Sequence, residues 1–132
     1  MADTMQFDLV SPERRLASVQ AGELRIPRAA GGLTAMPDHA PVITTLRPGI
    51  LTVVTAEGQT SYAVTGGFAE ITGEATSVLA ERAMPVGEMT AADADVLIAV
   101  ASDAAAKATA ENRDAADKLV ADLQALKAAA GL

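Results

Sequence analysis

Ile50-Leu51-Thr52-Val53-Val54, then Ala56-Glu57-Gly58, then Thr60-Ser61-Tyr62-Ala63-Val64 is the stretch that decides the fold. Two runs of β-branched and aliphatic residues flank a short segment ending in glycine, which is the pattern of a β-hairpin. The same grammar extends outward from it. Phe68 to Thr72 and Ala75 to Ala80 form a second pair, with a predicted turn at Gly73-Glu74 where glycine would supply a positive φ. From Gln6 to about Met84 the chain is rich in Val, Ile, Leu and Thr and is broken at short intervals by Gly, Pro or Asp. Long helices do not fit there, and many short strands in one small unit predict a sandwich or flattened barrel.

Beyond Met84 the grammar changes. Pro85-Val86-Gly87 breaks the strand pattern, and alanine then dominates with neither Pro nor Gly before Gly131. Thr90, with Asp93 three residues on, reads as a capping-box start, and Ala94, Leu97, Ile98 and Ala101 recur with helical period. The spacing predicts one helix from Ala91 to Lys107, an interruption at Thr109-Ala110-Glu111-Asn112, and a second helix with Ala116, Leu119, Val120, Leu123, Leu126 and Ala130 on one face. Two short amphipathic helices with a brief connection lie antiparallel. Alanine stripes bury little area, so this hairpin needs a docking surface. The pairs Asp103/Lys107 and Asp114/Lys118 are spaced to meet on a helix surface, each contributing about 0.3–0.5 kcal/mol.

The 132 residues suit one compact domain or a small domain with an appendage. The chain therefore divides into a β domain over 1–84 and a linker with a helical hairpin over 85–132. The net charge of -7 argues against nucleic acid, whose recognition needs clustered Lys and Arg. Without cysteine there is neither a disulfide framework nor a thiolate metal site. No apolar run approaches the ~20 residues that cross a bilayer, and Met1-Ala2-Asp3-Thr4 lacks the basic start of a secretory signal.

Residues able to do chemistry are present but isolated. His39 is the lone histidine, and with neither a second His nor Cys it completes no metal site or triad; a turn-ordering role beside Asp38 and Pro41 is expected. Asp8, Glu13 and Asp38 read as solvated or turn-capping carboxylates at strand starts or turns. Ser11-Pro12 and Thr44-Thr45 lack a nucleophile-elbow context. Gly66-Gly67 has no following Lys, so it reads as a strand bend or a place of close backbone packing rather than a phosphate loop. Gly31-Gly32 lies in what reads as a small, flexible, exposed loop from Arg28 to Thr34. No catalytic, cofactor-binding or metal-binding residue is assigned.

Five segments in order carry a resemblance: Phe7-Asp8-Leu9-Val10-Ser11-Pro12-Glu13-Arg14; Met36-Pro37-Asp38-His39-Ala40-Pro41; Leu46-Arg47-Pro48-Gly49; Gly66-Gly67-Phe68-Ala69-Glu70; and Val78-Leu79-Ala80-Glu81. Together with the helical hairpin after them, they resemble the epsilon subunit family of the F-type ATP synthase over nearly the whole chain. The resemblance implies a mainly β plus α fold, a ten-stranded β-sandwich followed by a two-helix hairpin. It implies a non-catalytic rotor subunit that couples c-ring rotation through the gamma subunit to ATP synthesis. It places gamma along one face of the sandwich and the c ring at its loop end, with Arg28, Gly31, Gly32 and His39 as interface candidates. Many relatives carry acidic residues in the Arg28 to Thr34 loop, whereas here Arg28 is its only charge. The implied location is peripheral, on the cytoplasmic face of a bacterial inner membrane, held there through the complex.

In many bacterial relatives the hairpin extends along gamma and inhibits ATP hydrolysis, in part by setting basic residues against an acidic segment of a beta subunit. That makes beta subunits further candidate partners and regulation the alternative function. Here Glu88, Asp93, Asp95, Asp103, Glu111, Asp114, Asp117 and Asp122 face only Lys107, Arg113, Lys118 and Lys127 in that region, so the electrostatics oppose the inhibitory contact. Some relatives bind ATP through Ile/Leu-Asp-x-x-Arg-Ala at the first helix. The positions in register are Met89-Thr90-Ala91-Ala92-Asp93-Ala94, where Asp93 stands in place of the arginine that would pair with phosphate. ATP binding is not expected.

Overall fold

The computed structural model describes residues 3–132; the expectation about the N-terminal start falls in part on Met1 and Ala2, outside the described residues. Ten strands form two five-stranded sheets, followed by two helices. The first sheet runs β2 (Arg15–Ala21), β1 (Met5–Val10), β9 (Ala75–Ala80), β8 (Gly67–Ile71), β5 (Val42–Thr45). The second runs β10 (Ala83–Pro85), β7 (Gly58–Val64), β6 (Gly49–Thr55), β3 (Glu23–Arg28), β4 (Gly31–Ala35). All neighbours are antiparallel except β1 and β9, which pair in parallel with Phe7 opposite Thr76 and Leu9 opposite Val78.

Alternation sorts each strand. Met5, Phe7 and Leu9 of β1, Val78 of β9 and Ala69 and Ile71 of β8 point inward and meet Leu24, Ile26, Leu51, Val53, Tyr62 and Val64 from the other sheet. Burying a Leu, Ile, Phe or Met side chain contributes about 1.5–3 kcal/mol each, so this one interior layer dominates the stability of the domain. Thr76 is the polar residue fully inside it, and its hydroxyl donates to Met5 Sδ at 3.6 Å.

Both expected hairpins form. In the first, Thr55 pairs with Gly58 across the turn Ala56-Glu57, and Gly58 takes φ 125. In the second, Gly73 lies in the turn but does not adopt the positive φ expected of it. The Thr72 hydroxyl holds that turn instead, accepting from Glu74 N at 3.4 Å and Ala75 N at 3.1 Å. A side-chain acceptor replaces the backbone conformation that glycine would have supplied. Asp8 also departs from expectation: it sits in the middle of β1, on the outer face, 3.4 Å from Gln6 Nε2.

The first helix, α1, spans Ala91–Ala106 and the second, α2, Arg113–Ala129. Thr90 Oγ1 accepts from Asp93 N at 3.1 Å, and Asp93 Oδ2 accepts from Thr90 N at 3.0 Å, completing the capping box. Thr90→Ala is expected to destabilise the hairpin by about 1 kcal/mol, read as an earlier loss of helical circular dichroism on heating. The hairpin packs on the outer face of the second sheet, where Ala63, Met89, Ala94, Ala101, Leu123 and Leu126 close a second, smaller core with Ile50 and Met84 beside it. Leu119, expected on the packed face, is exposed. The Asp103/Lys107 pair forms at 3.0 Å, whereas Lys118 turns away from Asp114 and meets Asp122 at 2.8 Å. Asp122 also lies 3.9 Å from Arg47 Nη1, and Asp114 stays in the first turn, where the helix N-terminus favours a negative charge.

Candidate functional interface

The hairpin covers one face of the sandwich and leaves the other open. On the outer face of the first sheet, register sets Thr45, Phe68, Leu79 and Val10 in one row across β5, β8, β9 and β1. The adjacent row reads Ile43, Glu70, Ser77, Asp8. Ile43 is 69% exposed, Phe68 47% and Leu79 45%, so three large apolar side chains stand on one solvent-facing surface. A concentration of this kind on a small chain marks a contact site. Beside it, Val10, Ser11, Pro12, Gly67, Phe68, Leu79, Ala80 and Glu81 line an open recess of about 470 Å³.

Backbone geometry fixes this row. Gly66 and Gly67 take φ 156 and 110, and Leu46 N donates to Gly67 O while Glu81 N donates to Gly66 O. A Cβ on Gly67 would lie 1.9 Å from Leu79 O. The glycine pair is therefore the close-packed bend that lets β8 come against β9 and present Phe68 next to Leu79.

Arg28, Gly31 and Gly32 lie at the end of the sandwich that also holds the Ser11–Arg14 turn. The expected flexible loop over 28–34 shrinks to the turn Ala29-Ala30, because Gly31 and Gly32 pair with Arg28 and Pro27 as part of β4. Arg28 Nε donates to Gly31 O at 3.1 Å and Ala29 N to Thr45 O at 2.9 Å, so this tip is tied to its neighbours through the main chain. His39 lies past the other end of β4, in the connection to β5. There His39 Nδ1 is 2.6 Å from Ala40 O, His39 N donates to Met36 O, and Asp38, at φ 66, donates its N–H to Gly73 O. The four candidates are thus not one cluster: Arg28, Gly31 and Gly32 mark one end, His39 the opposite end.

Sequence reasoning did not single out Ile43, Phe68 and Leu79 as a surface. A signal was present in Phe68-Ala69-Glu70-Ile71, where alternation puts Phe68 on the same face as Glu70. Among the described residues no cluster of three or more His, Cys, Asp or Glu could hold a metal ion. No helix among them is long and apolar enough to cross a membrane.

The family described as ATP synthase, Delta/Epsilon chain, beta-sandwich domain matches residues 4–86. An ATP synthase epsilon chain of Fuscovulum blasticum is 63% identical over 131 residues, covering 99% of each chain. The chain belongs to the ATP synthase epsilon chain family. An epsilon chain of Rhodobacter capsulatus is 61% identical over 126 residues, 96% of each chain. Among solved structures, a chain in a Euglena gracilis mitochondrial ATP synthase assembly containing OSCP, F1 and the c-ring superposes with a TM-score of 0.73. It is 19% identical in sequence, with 96% of this chain and 81% of that one covered, and it shares the fold. In this epsilon chain the matched sandwich is followed by the helical hairpin, which folds against it.

Proposed function

We propose that this chain is a non-catalytic central-stalk subunit of a proton-translocating F-type ATP synthase, in which the sandwich clamps the gamma subunit to the c ring and transmits rotation between them. The observation that carries this reading is the 63% identity to an ATP synthase epsilon chain over 99% of both lengths. The outer face bearing Ile43, Phe68 and Leu79 takes gamma, since it is apolar, rigidly strand-backed and uncovered. The end holding Arg28, Gly31 and Gly32 faces the c ring. His39 orders the loop at the far end, where it borders a partner. Membrane attachment runs through these contacts, on the cytoplasmic face of a bacterial inner membrane.

The division at 1–84 and 85–132 is functional in this reading: torque passes through the sandwich, and the hairpin is an accessory. Truncation after Val86 is expected to leave assembly and proton-coupled ATP synthesis at more than about half of the full-length level, because the hairpin touches only the face that gamma does not use. Uncoupled membranes with this truncated chain would overturn the reading.

The alternative, a hairpin that inhibits ATP hydrolysis, has the eight acids against four bases of the region after Gly87 against it. Asp93, where ATP-binding relatives carry arginine, closes the Thr90 capping box and offers no cation to phosphate. The same truncation decides between the two: little change in ATPase activity of the purified complex supports an accessory hairpin, and a rise of tenfold or more supports an inhibitor.

A further inference from the structure

One charged group stands within the exposed apolar surface of the first sheet. Register places Glu70 of β8 directly beside Ile43 of β5, two residues along its own strand from Phe68, and diagonal to Leu79, which pairs with Phe68. Opposite side chains on neighbouring strands lie about 4.5–5.5 Å apart, and diagonal ones about 7–8 Å. A protein surface that rests on Ile43, Phe68 and Leu79 together therefore covers Glu70 as well.

Among the described residues no cation pairs with that carboxylate. Its cross-strand neighbours, Ile43 and Ser77, bear no charge, and the next ionisable group along the row is another acid, Asp8 of β1, which accepts from Gln6 Nε2. The cation that register sets in these two rows is Arg15, opposite Val10 at the far end of the other row. Three strands, or about 14 Å across the sheet, separate it from β8, a distance at which salt screens its charge. In the free chain Glu70 is exposed and water solvates it. Under an apolar partner surface the same carboxylate would lose that water with nothing in its place.

We propose that Glu70 determines which partner this face accepts: the covering surface brings an arginine or lysine onto the carboxylate between its apolar contacts, and a second copy of this chain is turned away. An arginine offers two parallel N–H donors to the two carboxylate oxygens, and the apolar contacts around them exclude the water that would weaken the pair. A two-fold dimer joins the same patch on both copies, so this face would offer the copy's Glu70 no cation nearer than Arg15 at its edge. Ile43, Phe68 and Leu79 supply adhesion, and Glu70 supplies selection. The occupant is gamma, which rests on the reading above that gamma takes this face.

The test is the affinity of the full-length chain for complex stripped of it, with the denaturant midpoint of each free variant as the control for folding. Glu70→Gln keeps the shape and removes the charge; it is expected to bind about thirtyfold more weakly with an unmoved midpoint. Glu70→Asp keeps the charge and should stay within about threefold of wild type. Phe68→Ala trims an apolar contact, should weaken binding by about thirtyfold, and reports on the face itself. Loss with Phe68→Ala but not with Glu70→Gln leaves gamma on this face and overturns the proposal alone. Wild-type binding by both variants overturns the gamma reading of the face together with it. A loss with Glu70→Asp as deep as with Glu70→Gln overturns the proposal too, since shape rather than charge would then decide. In the free chain, sedimentation equilibrium should show Glu70→Leu pairing with itself at least about tenfold more tightly than wild type. A wild-type chain that dimerises as tightly as Glu70→Leu overturns the exclusion of a second copy.

Discussion

Gly67→Val is expected to leave the chain unable to hold its sandwich. At φ 110 a side chain is strained whatever its surroundings, costing about 1–3 kcal/mol. Here the surroundings are also closed: the new Cβ would stand 1.9 Å from Leu79 O and 2.9 Å from the Cα of Ala80, both main-chain atoms of the paired strand β9. Relief requires β8 and β9 to separate, and that breaks the Gly67–Ala80 end of their ladder and the Leu46 N to Gly67 O bond. The sum exceeds about 4 kcal/mol, a large part of the roughly 5–15 kcal/mol that holds a domain of this size. The measurement is soluble yield and the denaturant midpoint of the purified chain. Gly32→Ala is the control: nothing lies within 4 Å of its Cβ position and its φ is not positive, so a shift beyond about 0.5 kcal/mol would show that the argument from local space is wrong.

Gly67 also shows how far the sequence could be read. The pair Gly66-Gly67 is legible as a bend or close approach, because no chemistry needs glycines there without a following lysine. What the sequence does not contain is the atom approached, Leu79 O, since that depends on which strand lies alongside. The two local hairpins are legible for the complementary reason: their partners are adjacent in the chain, and alternation fixes the inward set. The parallel pairing of β1 with β9 joins residues about seventy positions apart, and no local pattern encodes it. Gly73 illustrates competition between two turn solutions, in which the neighbouring Thr72 hydroxyl makes the positive φ unnecessary.

The helices follow the same division. Thr90 and Asp93 contact each other within one turn, so their capping box is visible in sequence and present in the structure. Lys118 has acids four residues away on both sides; orientation on the helix favours Asp114, the expected partner, yet the structure pairs Lys118 with Asp122. On the Asp122 side Arg47, in the connection between β5 and β6, adds a weak second attraction at 3.9 Å, a contact between segments that local spacing does not encode. The exposed apolar row was hidden for a related reason. Alternation assigns Phe68 and Leu79 to the outer face of their sheet, but whether an outer face is covered depends on where the hairpin docks. It docks on the other sheet, on Ile50 and Ala63.

Because of that docking, Phe68→Glu with Leu79→Glu is expected to separate folding from assembly. Both side chains point to solvent at 47% and 45% exposure, and surface substitutions of this kind move stability by about 0.5 kcal/mol or less. The new carboxylates lie in a row bounded by Thr45 and Val10, so no buried partner is lost. Because Phe68 and Leu79 face each other across β8 and β9, the two carboxylates repel by about 0.2–1 kcal/mol, and the isolated double variant should melt slightly below wild type while remaining folded. In the proposed contact with gamma, by contrast, each large apolar side chain at the centre of the surface contributes about 2 kcal/mol, and each glutamate would be desolvated without a counter-ion. A combined loss of at least 4 kcal/mol corresponds to about a thousandfold weaker association. The measurement is recovery of the variant with gamma in the purified complex, and ATP-driven proton pumping by membranes that contain it. Arg28→Ala supplies the contrast, because the tip around Arg28 is held by main-chain bonds from Ala29 to Thr45 and along β3 and β4. Its retention with gamma should stay near wild type. A folded Phe68→Glu, Leu79→Glu chain recovered at normal level would place gamma elsewhere, whereas loss of gamma with Arg28→Ala alone would move that contact to the turn end of the sandwich.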